Sequence, residues 1–532
     1  MDKAISMGKA SAIGSFHLFI GKIFSTLMLG IGFIIVGMFI DQVDYGLYTI
    51  ALIPATTFLL FQNWGVGPAV TKYCANYRAS NKEGELRNII LSGLTFQVIT
   101  GLFLTVLSLL TANFFATTIF DNPESGFLIN LASITIISSS IYVGSNTIFE
   151  GFDRMDLSTV VMIISATIQG LLSPLLVYLG FGAVGVIIGL TVGSFGSAIT
   201  SVVLLYFVIF KKLPLLSIKK AKIFQALKPL LIYGIPLSIS SIIGGILPQI
   251  VNFVMASVTD IVMIGNFGIS NNFAIFLTFF SLPIVAVLFP AFSKLDPSKE
   301  KQLLKTVFAS SVKYSSLFMV PATMALMVLS TPLVTALFGN KWVYAPFFLT
   351  LNVTGNLFVL LGSVSFSRLL AATGETKFLM KLNLLTLCIG IPIAFLLIPP
   401  FGIIGVIMIS PISGLPGMFI GLYWTWKHYD VQADFQNSAR IFLASVISSA
   451  ATYLFLNVFN ASAWLILTVG AILFLAIYVI SILLIGAINQ LDIDNLRVMF
   501  SGLGKIFKLL EILFTLLEKI LKVKEKNSKI HK

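Results

Sequence analysis

The sequence predicts an all-α polytopic membrane protein of about 14 transmembrane helices, arranged as two pseudo-symmetric six-helix lobes plus two extra helices. Three observations carry this. Of 532 residues, 57% are hydrophobic and only 10% charged, where a soluble chain has about a quarter of its residues charged. The apolar residues fall in runs long enough for helices of roughly 20 residues to cross hydrocarbon. The basic residues, finally, sort onto alternate loops.

The runs lie near 13–40, 46–69, 88–113, 127–149, 157–179 and 183–210, then 230–258, 266–292, 314–338, 346–370, 378–399, 403–426, 440–459 and 462–486. The run at 266–292 is polar at its start, with Asn266, Asn271 and Asn272. Residues 1–12 are not expected to be a cleaved signal, because the apolar run behind them is too long and has no Ala-x-Ala exit.

On this map 32 of the 34 Lys and Arg residues share one side. Only Lys341 falls in an opposite loop, and only Lys22 lies well inside a span. By the positive-inside rule the basic loops and both termini are cytosolic, with the chain in the plasma membrane. The net charge of +13 then reports orientation and contact with anionic lipid, not nucleic acid. The expected organisation is an N-terminal lobe over 1–210, a basic cytosolic linker over 211–228 and a C-terminal lobe over 229–426. Helices 13 and 14 fill 427–486, and 487–532 is an amphipathic basic tail. In that tail Leu503, Ile506, Phe507 and Leu510 recur at helical spacing opposite Lys505, Lys508 and Glu511. This pattern fits a helix lying on the cytosolic leaflet; packing against cytosolic loops is the other reading.

Several chemistries are excluded. Two cysteines, Cys74 in an expected cytosolic loop and Cys388 in a membrane helix, make no disulfide framework. His17, His428 and His531 are too scattered for a zinc site. No phosphate-binding loop or cofactor motif is present. The outward loops, none beyond about 13 residues, hold no catalytic domain. Asp492-Ile-Asp494 resembles a glycosyltransferase metal motif but stands at the entry to the tail, so the chain is not read as an enzyme.

The chain repeats itself. Phe181-Gly182-x-x-Gly185-Val186-Ile187 matches Phe401-Gly402-x-x-Gly405-Val406-Ile407, and residues 46–72 match 268–294 more loosely. The two units are parallel, each of six spans, as in transporters built around an axis along the membrane normal. Gly180-x-Gly182-x-x-Gly185 spells a dinucleotide fingerprint but lies between apolar helices with no preceding strand. It is read as a tight hairpin followed by close helix packing through small residues.

Asp44-Tyr45-Gly46-Leu47-Tyr48, Gly65-Val66-Gly67-Pro68-Ala69, Leu288-Phe289-Pro290-Ala291-Phe292-Ser293 and Ala371-Ala372-Thr373-Gly374-Glu375-Thr376-Lys377 follow in order along the chain. With 14 spans, this set resembles the Wzx-type flippases of the multidrug/oligosaccharidyl-lipid/polysaccharide exporter superfamily. The resemblance implies two lobes in a V around a central cavity. It further implies transfer of polyprenyl-phosphate- or diphosphate-linked oligosaccharide from the cytosolic to the outer leaflet by alternating access, with no enzymatic step and no cofactor. Expected partners are the lipid-linked oligosaccharide, anionic membrane lipid and glycan-assembly proteins, with the chain a monomer.

Such a protein needs cations for phosphate and amides or hydroxyls for sugar within an apolar bundle. Lys22 suits the first role, since a lysine at that depth costs roughly 2.5–3.5 kcal/mol on insertion scales; snorkelling to the interface is the competing account. His17 precedes it by a turn and a half. For sugar the candidates are Asn63 beside Gln62 in span two, Gln249 and Asn252 three apart on span seven, and Asn352 and Asn356 four apart on span ten. Each could instead bond a neighbouring helix. Lys72, Arg368 and Lys377 mark the cytosolic mouth. Two alternatives remain. A multidrug/cation antiporter of the same superfamily would carry acids deep in its lobes. A membrane glycan polymerase or glycosyltransferase would need a sizeable outer loop with catalytic groups.

Overall fold

A computed structural model of the chain describes residues 2–213, 220–277, 292–297, 299–459 and 461–500, with Glu511, Thr515 and Glu518. Helices and turns make up these residues, with no strand among them. In order the first helices are α1 (Asp2–Phe39), α2 (Gln42–Leu60), α3 (Val66–Ala79), α4 (Glu83–Phe114), α5 (Ser125–Ser133), α6 (Thr135–Gly151), α7 (Met155–Tyr178) and α8 (Gly182–Leu204). Then come α9 (Lys220–Val258), α10 (Ile261–Ile275), α11 (Lys301–Val328), α12 (Ser330–Phe338), α13 (Ala345–Val353), a 3-10 stretch (Thr354–Leu361) and α14 (Ser363–Ala372). The last are α15 (Thr376–Phe401), α16 (Ile403–Tyr429), α17 (Phe435–Val458), α18 (Ala463–Ile485) and α19 (Gln490–Phe500). Among the described residues 12 helices are long and apolar enough to cross a membrane, or 13 if the bent pair at 345–372 is one span. Of the expected eighth span α10 covers the start, while residues 278–291, and with them most of the Leu288–Ser293 motif, lie outside the described residues.

Local chemistry sets the boundaries. The Asp41 carboxylate accepts the Asp44 N–H at 2.8 Å and caps α2. The repeated hairpins are confirmed in geometry: Gly182 and Gly402 both adopt positive φ, at +48° and +53°, where a Cβ would be strained. In each repeat the chain turns at once into the next helix.

The structure corrects several boundaries. The second span is not one helix through residue 69: α2 ends at Leu60 and the chain re-enters a helix only at Val66. Trp64 and Gly65 supply the left-handed turn, at φ 43° and 69°. Cys74 therefore sits buried on α3, not in a loop. Residues 220–228 of the expected linker already belong to α9, and residues 214–219 lie outside the described residues. Span ten breaks at Gly362 (φ 91°), with a 59° bend.

The described chain packs as two compact units. The first comprises residues 1–272, 341–344 and 380–417, and the second 273–340, 345–379 and 418–532. Packing, not the boundary of the sequence repeat, sets this division. In the first unit, Val66, Val70, Ile89, Ile90, Phe149 and Val161 form a core near the basic loops. In the second, Val320, Val359, Ile441, Phe474, Ile482 and Ile493 cluster together.

That second cluster overturns part of the tail reading. Ala487, Ile488, Ile493 and Leu496 are buried in it, so the segment entering the tail is packed protein rather than a helix resting on lipid. Arg497 also reaches Glu511 and Glu518, at 3.2 and 2.9 Å. Most of the remaining tail, including Leu503–Leu510, lies outside the described residues.

Candidate functional site

Helix α1 packs on α7 through a seam of small residues. A Cβ at Gly14 would meet Met155, one at Gly21 would meet Thr159, and one at Gly32 would come within 2.8 Å of the Gly170 carbonyl oxygen. Ser25 is buried on the same line. With about 100° between successive helical residues, the seam fixes where the other faces of α1 point. Ile20, Phe24, Leu27 and Ile31 are exposed on one flank. Lys22 is exposed on the other, the side it shares with Thr26, Leu29 and Phe33. The Thr26 hydroxyl donates to the Lys22 carbonyl oxygen at 2.8 Å, leaving the ammonium uninvolved in that contact. The apolar flank has the composition of a lipid-facing surface. A lysine on the opposite flank is therefore segregated from it.

That side of α1 continues into a cavity of about 170 Å³. Leu29, Phe33 and Val36 from α1, Tyr45 and Tyr48 from α2, Gln169 and Ser173 from α7, and Asn272 from α10 line it. The Asn272 amide donates to the Tyr45 hydroxyl at 3.0 Å, and Ser173 donates to the Val186 carbonyl oxygen at 3.2 Å. Among the described residues no acidic or basic side chain lines the cavity.

The other expected residues scatter. His17 is exposed but lies about 140° around α1 from Lys22, so the two do not converge. The Asn63 side-chain oxygen accepts the Gly67 N–H at 2.8 Å and the Gln97 amide at 2.9 Å. It thus supports the break between α2 and α3, and Gln62 beside it is buried. The Gln249 oxygen lies 3.3 and 3.1 Å from the Thr56 and Thr57 hydroxyls and ties α9 to α2; Asn252, three residues on, is half-buried. Asn352 closes α13, whereas Asn356 stands in the 3-10 stretch and donates to the Val353 carbonyl oxygen at 3.1 Å. The expected shared α-face of that pair is lost, because the helix changes pitch between them. Lys72, Arg368 and Lys377 are all exposed. The Lys72 ammonium stands 3.9 Å from the centre of the Tyr233 ring, a cation–π contact on α9.

Sequence reasoning missed two clusters. In the sequence Tyr45 and Tyr48 stand out only as part of a motif, although a spacing of three residues on a helix is itself a sign that they share a face. The second cluster holds Lys341, the lone basic residue of the opposite loops. Its ammonium donates to the Met38 carbonyl oxygen at 3.1 Å, while Gln42 donates to the Lys341 carbonyl. Trp342 donates to the Gly37 carbonyl oxygen at 3.1 Å. Burial holds the Lys341 ammonium below the usual lysine pKa, against the opposing pull of Asp41.

Among the described residues no group of three or more His, Cys, Asp and Glu could hold a metal ion. Asp492 of the Asp-x-Asp motif is buried in an ion pair with Lys313 at 2.6 Å, and so is not presented to a nucleotide sugar.

The fold is an all-α bundle of membrane-length helices, and comparison with known proteins gives its family. The chain belongs to the polysaccharide biosynthesis protein family, whose model matches residues 35–345. It is similar to an uncharacterized membrane protein of Methanocaldococcus jannaschii, at 22% identity over 470 residues, covering 86% of this chain and 92% of that protein. Among solved structures it resembles the lipid II flippase MurJ in an inward closed conformation. The identity is 16% and the TM-score 0.70, covering 87% of this chain and 97% of that one. It also resembles an inward-facing multidrug resistance MATE family transporter of the MOP superfamily, at 17% identity and a TM-score of 0.62 over 76% and 94% of the two chains. Identities this low establish a shared fold.

Proposed function

We propose that the protein carries a polyprenyl-phosphate- or diphosphate-linked oligosaccharide from the cytosolic to the outer leaflet of the plasma membrane by alternating access. The basic loops and both termini face the cytosol in this reading. The observation that supports it most directly is the position of Lys22. It stands on the flank of α1 that leads to the polar cavity, away from the apolar flank of Ile20, Phe24, Leu27 and Ile31. A fixed ammonium in a site of low effective dielectric suits a phosphate or diphosphate. The membership in a polysaccharide family supports a glycan as the cargo. Anionic lipid and glycan-assembly proteins are the proposed partners of a monomeric chain.

The test is a set of Lys22 variants in vesicles carrying a fluorescent lipid-linked sugar, with no sugar-nucleotide donor added. Lys22→Arg keeps the charge and should retain part of the transport, because geometry changes while charge survives. Lys22→Met keeps length and removes the charge; it should stay folded and lose transport. Lys22→Glu should be inactive through repulsion of the anion. Full transport by the Met variant, together with raised thermal stability, would sink the binding role and favour snorkelling.

A further inference from the structure

We propose that the cavity of about 170 Å³ beside α1 is a subsite for one sugar ring of the lipid-linked headgroup, recognised by Tyr45, Tyr48, Gln169 and Asn272. This inference rests on the flippase reading and adds to it a second binding element, separate from Lys22.

The lining selects the ligand class. An organic cation would be served by a carboxylate and a phosphate by a basic group, and among the described residues the lining has neither. Leu29, Phe33, Val36 and Val186 make much of the lining apolar, but a hydrocarbon tail would leave the two phenols and two carboxamides among them without partners. A sugar ring presents hydroxyls that each donate and accept, around a puckered ring with apolar C–H faces. The lining is complementary on both counts. The Gln169 amide offers donors and an acceptor, while Asn272, whose amide donates to the Tyr45 hydroxyl and to the Gly268 carbonyl oxygen at 3.0 Å each, offers its oxygen. The Tyr45 hydroxyl accepts from Asn272 at 3.0 Å and keeps its own proton to donate. The Tyr45 and Tyr48 rings stand edge to face, with centroids 5.5 Å apart, and give the cavity an aromatic wall.

Size and place narrow it further. Sites for drug-sized ligands run to roughly 300–1,000 Å³, so this cavity admits a single ring and not an oligosaccharide. It equals the liquid volume of about six water molecules. Leu29, which lines it, lies on the Lys22 side of α1 and about 10 Å further along the helix axis, as 1.5 Å per residue gives. A phosphate held at Lys22 and the sugar nearest to it would therefore occupy neighbouring positions along one helix flank.

The experiment compares two probes in vesicles: a polyprenyl diphosphate bearing one hexosamine and the same polyprenyl diphosphate without sugar. Wild-type protein should flip the sugar-bearing probe faster. In Gln169→Leu and in Tyr48→Phe the ratio of the two rates should fall about tenfold, the effect of losing one good hydrogen bond to an uncharged partner. Tyr48→Phe removes a single oxygen and keeps the ring, so it decides the matter if Gln169→Leu does not fold. An unchanged ratio in folded variants overturns the subsite, as does an equal fall in both rates, which marks a packing role. Wild-type protein that moves neither probe overturns the flippase reading itself, and that outcome is read before any variant is made.

Discussion

Lys22 in the first unit and Lys313 in the second are both lysines within membrane-length helices, and the protein treats them oppositely. Lys313 is 12% exposed and pairs at 2.6 Å with Asp492, itself 8% exposed. The partner is fully bonded: Asp492 also accepts from the Asn489 N–H at 2.8 Å and from the Tyr314 hydroxyl at 3.3 Å. Asn495 in turn donates to that hydroxyl at 3.0 Å. Lys22 is exposed and makes no ion pair among the described residues. A buried charge survives only when neighbours neutralise it; a charge left without a local partner, on a flank separated from lipid, is available to a ligand. The difference separates a structural lysine from the one proposed here to bind.

The largest effect expected from this comparison is on the segment that supplies Asp492. Deleting residues 487–532 removes the partner of Lys313 and uncovers the site of Ile488, Ile493 and Leu496, each buried. At roughly 1.5–3 kcal/mol per large buried aliphatic side chain, the loss should exceed about 5 kcal/mol. Deleting only residues 501–532 keeps that packing and the partner of Lys313, so its loss should be clearly the smaller of the two; from Arg497 it takes pairing at a partly exposed site. Thermal unfolding of the two truncations in detergent checks this. Equal losses would show that Ala487–Arg497 does not act as a docked segment.

Next in size is the pair itself. Lys313→Met leaves Asp492 buried and unneutralised, which should cost about 3–5 kcal/mol. Adding Asp492→Leu removes the orphaned charge and should return most of that stability, within about 2 kcal/mol of the wild type. If the single variant were as mild as the double, the ion pair would be incidental and the contrast with Lys22 would lose its basis.

The sequence displayed one of these lysines and concealed the other. Lys22 interrupts a long apolar run, so its anomaly is one-dimensional and visible in composition alone. Lys313 falls just before the apolar run at 314–338, so hydropathy counts it with the basic residues of a cytosolic loop. In the structure α11 begins at Lys301 and carries Lys313 along its side. The partner lies 179 residues away, a separation that no local pattern encodes. The same limit explains the cavity. Span positions and hairpins follow from apolar runs and glycines, which act locally, whereas Tyr45, Gln169 and Asn272 meet only through the packing of α2, α7 and α10. Of the candidate amides, Asn63 and Gln249 hold a helix break and a helix contact, and Asn352 and Asn356 are parted by a change of helical pitch. An amide in a bundle reads the same in sequence whichever partner it finds.

The smallest effect sharpens the comparison from its exposed end. Lys305 and Asp430 also pair at 2.6 Å, but their side chains are 40% and 65% exposed. Distance alone would equate this pair with Lys313–Asp492; exposure separates them, because water screens the attraction and never charged a desolvation cost. Asp430→Asn removes the charge and little else. Asp430 adopts a left-handed backbone, φ 55°, and asparagine tolerates that region as readily as aspartate, so no backbone strain enters. The expected loss is about 0.5 kcal/mol or less at low salt, and it should vanish as ionic strength rises and the screening length shortens. The measurement is the unfolding midpoint of Asp430→Asn and wild type across a salt series. A loss approaching that of Lys313→Met would mean that pairing geometry, and not burial, decides what a lysine in this protein is for.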